Sequence, residues 1–218
     1  MSSAPDASAD SVVTGRAPAV ATRKRPKPGE RRVQILQVLA EMLQQPGAER
    51  VTTAALAARL AVSEAALYRH FASKAQMFEA LIDFIESSVF GLINQIGERE
   101  PAGRARAARI VAMVLQFGEK NPGMARVMVG DALVFEHERL QQRMNQFFDK
   151  LDAALRQSLR DGALADAAEP ATLTPDADAR VRASVLTAFV AGRLQRFARS
   201  GFRRAPSEQL GACIARML

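Results

Sequence analysis

The stretch that decides the fold is Val51–Phe71, which reads VTTAALAARLAVSEAALYRHF. Serine and threonine are preferred N-cap residues, so we expect one short helix to begin after Thr52 or Thr53 and another after Ser63. The residues between the two helices, Leu60–Val62, would form a tight turn. Four apolar side chains would pack both helices against the helix before them: Leu56, Leu60, Val62 and Leu67. The segment therefore predicts a helix-turn-helix.

The second helix of this pair has a polar side that we expect to face outward, formed by Ser63, Glu64, Ala65, Tyr68, Arg69 and His70. Its first residues are small and polar, so the helix can approach base edges in the major groove, as a recognition helix must. Hydroxyl and cationic groups that suit DNA phosphates lie at Thr52, Thr53, Arg69 and Lys74. The alternative is a structural helical hairpin that binds no DNA.

A basic segment precedes the first helix. Residues 1–21 show no helical period, and the next stretch contains prolines, which exclude a helix interior, among the cations Arg23, Lys24, Arg25 and Lys27. Arg31 then falls in the first turn of a helix, where a cation opposes the helix macrodipole. We expect an extended arm and a helix start that contact phosphates; a solvated tail is the alternative.

The rest of the chain is predicted to be helical, which makes the fold all-α. Apolar residues recur at helical spacing between caps and Pro or Gly breaks, and no strand period of useful length occurs. The helices outside the motif are expected at Glu30–Gln45, Ser73–Gly97, Arg104–Phe117, from Pro122, and at Glu136–Arg160, Asp176–Arg199 and Ser207–Met217. We divide the chain into a disordered tail with the basic arm (1–29), a DNA-binding domain (30–73) and a helical dimerisation and partner-binding domain (74–218).

Composition narrows the class of protein. The net charge of +7 favours polyanionic partners, although an arginine-rich composition without nucleic-acid binding gives the same charge. No apolar run suits a membrane span or a secretory signal, and the single cysteine allows no internal disulfide, so we expect a cytoplasmic protein. The two histidines, His70 and His137, are not clustered with other ligands. We therefore predict no metal, no cofactor and no enzyme active site.

The helix expected at Asp176–Arg199 predicts a homodimer. Large apolar side chains recur along it at helical spacing, and small residues between them allow a close approach of another helix. We assign the dimer interface to Leu186, Phe189, Val190, Leu194 and Phe197. A twofold dimer would place two recognition helices on one face of a palindromic duplex. The alternative is a fully buried central helix in a monomer.

The chain resembles a known family in two regions. Ser63–Lys74, SEAALYRHFASK, is similar to the signature of TetR-type regulators, with departures at Ala61 and Ala72, where glycine and proline are usual. Segments further along resemble the SlmA family of nucleoid occlusion factors: Val51–Glu86, Phe117–Gly123, Ala132–Glu136 and Arg139–Gln141. This resemblance implies a TetR-like, nucleoid-associated DNA-binding protein, with one or more dimers per site. It also implies an inhibitor of cell division that antagonises polymers of the division GTPase FtsZ.

The resemblance also implies a binding site for the C-terminal tail of FtsZ, a short, acidic and hydrophobic peptide. Helical-wheel positions suggest a groove between the fourth and fifth helices, lined by Phe84, Met113, Gln116, Lys120 and Asn121. The alternative for Phe84 and Met113 is ordinary packing on neighbouring helices. A second function remains open, that of a ligand-responsive TetR-type repressor. Polar anchors for a small ligand are scarce, because the chain has one tyrosine and no tryptophan.

Overall fold

The structure is a computed structural model and describes residues 29–45, 50–163 and 174–218. Within these ranges all regular secondary structure is helical, as the sequence predicts. The helices are α1 (Glu30–Leu43), α2 (Thr53–Arg59), α3 (Glu64–Tyr68), α4 (Lys74–Arg99), α5 (Gly103–Lys120), α6 (Pro122–Met128), a 3₁₀ turn (Asp131–Leu133), α7 (Glu138–Ala163), α8 (Pro175–Arg199) and α9 (Leu210–Met217).

The first three helices form a small helix-turn-helix unit whose core is shared with α4. Leu56, Leu60 and Leu67 of the helix-turn-helix are buried, as predicted, and Val62 is half-buried beside them. Ile35 and Leu39 of α1 are each 1% exposed and belong to the same core. Helices this short are marginal alone, so this packing, rather than helix propensity, holds α2 and α3 in place.

The second unit is a bundle in which α7 and α8 form the central pair. Both helices also contact α5, and α6 packs on α8. The apolar side chains that recur along α7 at helical spacing are all buried, as that spacing predicts: Leu140, Met144, Phe147, Leu151, Leu155 and Leu159. Phe147 stacks edge-on with Phe90 of α4 and with Phe148, at centroid distances of 5.4 Å and 5.3 Å. These ring contacts join α7 to α4.

A ladder of ion pairs fastens α4 to α7. Arg139 reaches Glu79 at 2.7 Å, and Arg143 reaches Asp83 at 2.8 Å and Glu86 at 2.5 Å. Partial burial lowers the pKa of Arg143, but the hydrogen bonds and charges of Asp83 and Glu86 outweigh it and raise that pKa overall. Since α4 begins directly after the helix-turn-helix, this ladder and the apolar core hold the two units in one orientation.

The dimer assignment needs a correction. Leu186, Val190 and Leu194 are 0% exposed and Phe197 is 3% exposed, so these four side chains belong to the core of their own protomer. The reason is that α5, α6 and α7 all pack on α8 and cover that face. Phe189 is half-buried and packs against the core. The four buried residues therefore cannot contact a second copy.

A different face of α8 remains uncovered. Val181 and Val185 are 54% and 48% exposed, and Ala188 and Gly192 continue the same stripe. A methyl group placed on Gly192 would meet no atom within 4 Å.

Of the residues the structure describes, no helix is long and apolar enough to cross a membrane.

Three further details differ from the sequence-based expectation. Val33 and Leu92 fall on the apolar stripes of α1 and α4, where helical spacing predicts burial, yet they are 55% and 39% exposed. Helix α5 continues to Lys120, one turn beyond the predicted end. An Asn-Pro pair is typical of a helix start, which predicts Asn121 as the N-cap of α6, but its side chain forms no cap hydrogen bond; its Nδ2 donates to the Phe117 carbonyl at 2.8 Å.

Candidate nucleic-acid interface and partner groove

The helix-turn-helix owes its shape to two hydroxyl caps and one left-handed residue. Thr52 Oγ1 accepts from the Ala55 amide at 3.1 Å, and Ser63 Oγ accepts from the Ala66 amide at 3.3 Å. Between the helices, Ala61 has φ 54°. The amides of Ala61 and Val62 bond the carbonyls of Ala58 and Ala57, at 3.0 Å each, which is the Schellman pattern of a helix end.

A direct bond links the two helices of the motif. Thr53 Oγ1 donates to Glu64 Oε2 at 2.6 Å, so the hydroxyl of the first helix is held against the start of the recognition helix. Both residues were predicted to contact DNA. In the free protein they hold each other, and a phosphate or base contact by either would compete with this bond. The exposed residues of the recognition helix and its cap are Ser63, Glu64, Ala65, Tyr68 and Arg69, with His70 half-buried at its end.

Arg32 is a positioning residue that the sequence analysis did not identify. Its guanidinium donates to the His70 carbonyl at 2.6 Å and lies over the Phe71 ring at 4.2 Å. These contacts tie the start of α1 to the end of the recognition helix. The partners are 38 residues apart in the chain, so no local pattern could have indicated them.

The other predicted phosphate contacts differ in how the structure presents them. Arg31 is half-buried in the first turn of α1, and its guanidinium donates to Gln34 at 2.7 Å. The arm cations Arg23, Lys24, Arg25 and Lys27 lie outside the described residues.

The ammonium group of Lys74 is paired with a carboxylate in the free protein. Its ammonium forms an ion pair with Glu136, whose side chain is 9% exposed, and lies 5.6 Å from the centroid of the Phe78 ring. Glu136 belongs to the connection between the 3₁₀ turn and α7. Lys74 would therefore have to leave or share Glu136 before it could bind a phosphate.

The predicted partner groove brings α4 and α5 side by side. The two helices contact each other and are joined by only three residues, 100–102, so they run antiparallel. Phe84 lies 15 positions before the end of α4, which places it level with Gly118–Lys120 of α5. Phe84 is 50% exposed, Gln116 and Lys120 are exposed, and Met113 and Asn121 are half-buried.

In the predicted groove, Phe84 and Met113 would form an apolar floor and Lys120 a cationic edge. Met77, which the helical wheel places on the same flank of α4 as Phe84, is 0% exposed and belongs to the core. Helix α4 buries seven side chains, whereas Phe84 and Leu92 remain exposed on it, at 50% and 39%. Among the residues that the structure describes, no cluster of three or more His, Cys, Asp or Glu side chains is placed to hold a metal ion.

Comparison with known proteins identifies the families of both parts of the chain. Residues 35–81 match the tetR family of bacterial regulatory proteins, and residues 103–215 match the SlmA-like group of tetracyclin repressor-like C-terminal domains. The nucleoid occlusion factor SlmA of Cronobacter sakazakii is 48% identical over 183 residues, or 84% of this chain and 90% of that protein. The namesake from Idiomarina loihiensis is 44% identical over 182 residues, with the same coverage of both chains.

Solved structures confirm the architecture. A TetR-like transcriptional regulator from Rhodococcus sp. RHA1 superposes with a TM-score of 0.67 at 18% identity, covering 88% of this chain and 97% of that one. At this identity the likeness concerns the fold alone. The fold is therefore TetR-like.

Proposed function

The chain belongs to the SlmA family of nucleoid occlusion factors, and from this premise we propose that it binds palindromic chromosomal sites as a homodimer and, while bound, antagonises FtsZ polymers. Septum formation across the nucleoid would thereby be prevented. The protein would be cytoplasmic and nucleoid-associated, and would require neither a cofactor nor catalysis.

The DNA-binding part of the proposal rests on the exposed surface of α3. The cap residue Ser63 and Ala65 are small, so the start of the helix can approach base edges, while Tyr68 and Arg69 are exposed near its end. Thr52, Arg31 and the arm cations would hold phosphates on either side. Thr53, Glu64 and Lys74 would also contact DNA, once Thr53 and Glu64 release each other and Lys74 releases Glu136.

The dimer would form through the uncovered face of α8. Val181 and Val185 supply apolar area, and Ala188 and Gly192 permit close helix packing. Two copies related by a twofold axis would bury this face on each other. The two recognition helices would then read half-sites about one helical turn apart.

The proposal that FtsZ is the partner rests on one observation. Phe84 is 50% exposed and lies level with the cationic Lys120. An apolar side chain beside a lysine suits a peptide that is both hydrophobic and acidic, which is the character of the FtsZ tail. Phe84 and Met113 would receive apolar residues of the tail. Gln116, Lys120 and Asn121 would face its polar and acidic groups.

Fluorescence anisotropy with a labelled FtsZ C-terminal peptide tests this proposal. We expect Phe84→Ala to weaken tail binding about tenfold or more, as loss of an interface anchor does, and Lys120→Asp to weaken it several-fold. The matched controls are Leu92→Ala, another exposed apolar residue of α4, and Arg99→Asp, an exposed arginine at the far end of that helix.

All four variants should bind the palindromic site like the wild type. If Phe84→Ala and Lys120→Asp also bind the tail like the wild type, the groove is misplaced. If the wild type does not bind the tail, the ligand-responsive repressor becomes the better hypothesis.

A further inference from the structure

A cluster of arginines lies at the end of α8, far from the helix-turn-helix. Residues 193–208 contain five arginines and a single carboxylate, Glu208. For three of these arginines, contacts within the protomer or the position on the helix account for the charge. Arg193 donates to Cys213 Sγ at 3.1 Å and stacks on Phe189, and Arg196 and Arg199 lie in the last turn of α8, where cations favour the helix dipole.

The remaining two, Arg203 and Arg204, are displayed by a fixed turn. Ser200 Oγ accepts from both of their backbone amides, at 3.1 Å and 3.0 Å. Phe202 holds the turn from the other side, with its ring 5.2 Å from that of Phe197 and φ at 65°. Both arginine side chains are exposed, and neither forms a salt bridge with a carboxylate of the described residues. The protomer therefore orders this backbone without neutralising its charge.

This turn leads directly to the end of the partner groove. Ser207, three residues after Arg204, donates its hydroxyl to Glu119 Oε2 at 2.6 Å. Glu119 is adjacent in the chain to Lys120, the cationic edge of the groove. The arginine turn and Lys120 thus border the same end of α5.

The arginine turn lies near the opposite end of α1 from the recognition helix. Arg32 packs on the end of the recognition helix, whereas Gln45, 13 residues further along, shares an open cleft of about 260 Å³ with Arg199 and Phe202. The twelve helical residues from Arg32 to the end of α1 at Leu43 span about 18 Å. The arginine turn is therefore separated from the recognition helix by about the length of α1.

We propose that Arg203 and Arg204 extend the cationic edge of the groove and bind acidic residues that flank the FtsZ tail peptide. This inference rests on the proposed function, since it assigns a second contact to the same partner. The apolar groove would hold the hydrophobic residues of the peptide. The arginine turn would add an electrostatic contact that salt screens strongly, because both side chains lie in solvent.

The test compares Arg203→Ala/Arg204→Ala with Arg203→Lys/Arg204→Lys, which keeps the charge. The probes are a labelled FtsZ C-terminal peptide long enough to extend beyond the groove, and the same peptide with its flanking carboxylates changed to amides. We expect the alanine pair to bind the acidic peptide about three- to tenfold more weakly at low salt, and the lysine pair to bind like the wild type. The difference should shrink above about 0.5 M salt and vanish with the amide peptide.

Lys120→Asp serves as the groove control. If it weakens binding while the alanine pair binds the acidic peptide like the wild type, the extension is overturned and the groove stands. If the wild type binds neither peptide, the extension and the groove both fail. If the alanine pair instead loses affinity for a non-specific duplex and keeps its affinity for the peptide, the turn is a nucleic-acid surface and our proposal is overturned.

Discussion

Ala61→Gly should stabilise the protein without changing its DNA contacts. Ala61 ends α2 in the left-handed region at φ 54°, and its side chain is exposed, so removing the methyl group loses no packing. The Schellman hydrogen bonds around it involve only backbone atoms and would remain.

The expected gain follows from two opposing terms. A non-glycine residue in the left-handed region costs about 1–2 kcal/mol, because Cβ crowds the following carbonyl oxygen. Glycine avoids this strain but loses about 0.5–1 kcal/mol more in backbone entropy on folding. The net stabilisation is then about 0.5–1 kcal/mol. For a chain of this size, this corresponds to a rise in Tm of about 1–4 °C.

Chemical and thermal denaturation of the full chain, followed by circular dichroism, measures this gain. The matched control is Ala58→Gly, three residues earlier, where the alanine is exposed but lies in right-handed helix. Glycine there should destabilise the protein by about 0.5–1 kcal/mol. Loss of stability in Ala61→Gly, or equal effects of the two substitutions, would refute the reasoning about the turn.

Three further predictions concern DNA and the dimer. Changing the four arm cations Arg23, Lys24, Arg25 and Lys27 to alanine should weaken binding to all duplexes and flatten the salt dependence of log K; an unchanged slope would show that the arm does not touch phosphate. Glu136→Gln should release Lys74 to a phosphate and steepen that slope by about one, whereas an unchanged slope would assign Lys74 a structural role. Val185→Asp should yield monomers in analytical ultracentrifugation, and Val33→Asp, an equally exposed valine, should leave the dimer intact; a dimeric Val185→Asp would exclude that face of α8.

Local sequence chemistry was sufficient to predict the helix-turn-helix. Thr52 and Ser63 cap their helices because hydroxyl caps act within three residues, and Leu56 and Leu67 are buried because their spacing is helical. The structure places Ala61 in the left-handed region, which agrees with the glycine usual at that position in the family. Features of this kind depend on short stretches of chain.

Contacts between distant segments were beyond the same reasoning. Helical spacing identified the apolar face of α8 but could not say whether its own protomer or a second copy covers it, so Leu186 and its neighbours were assigned to the wrong surface. Arg32 and Lys74 have partners 38 and 62 residues away, and neither pairing leaves a local signal. Leu92 fits the helical stripe of α4 yet is 39% exposed, since helical spacing alone does not show which residues a neighbouring helix covers.

The central claim is that this protein binds many chromosomal sites and inhibits cell division there, rather than regulating one gene. Genome-wide mapping of its bound sites by cross-linking and sequencing tests that claim most directly. The account predicts dozens of palindromic sites scattered over the chromosome and absent near the replication terminus. A single site beside its own gene would contradict the account and indicate a local repressor.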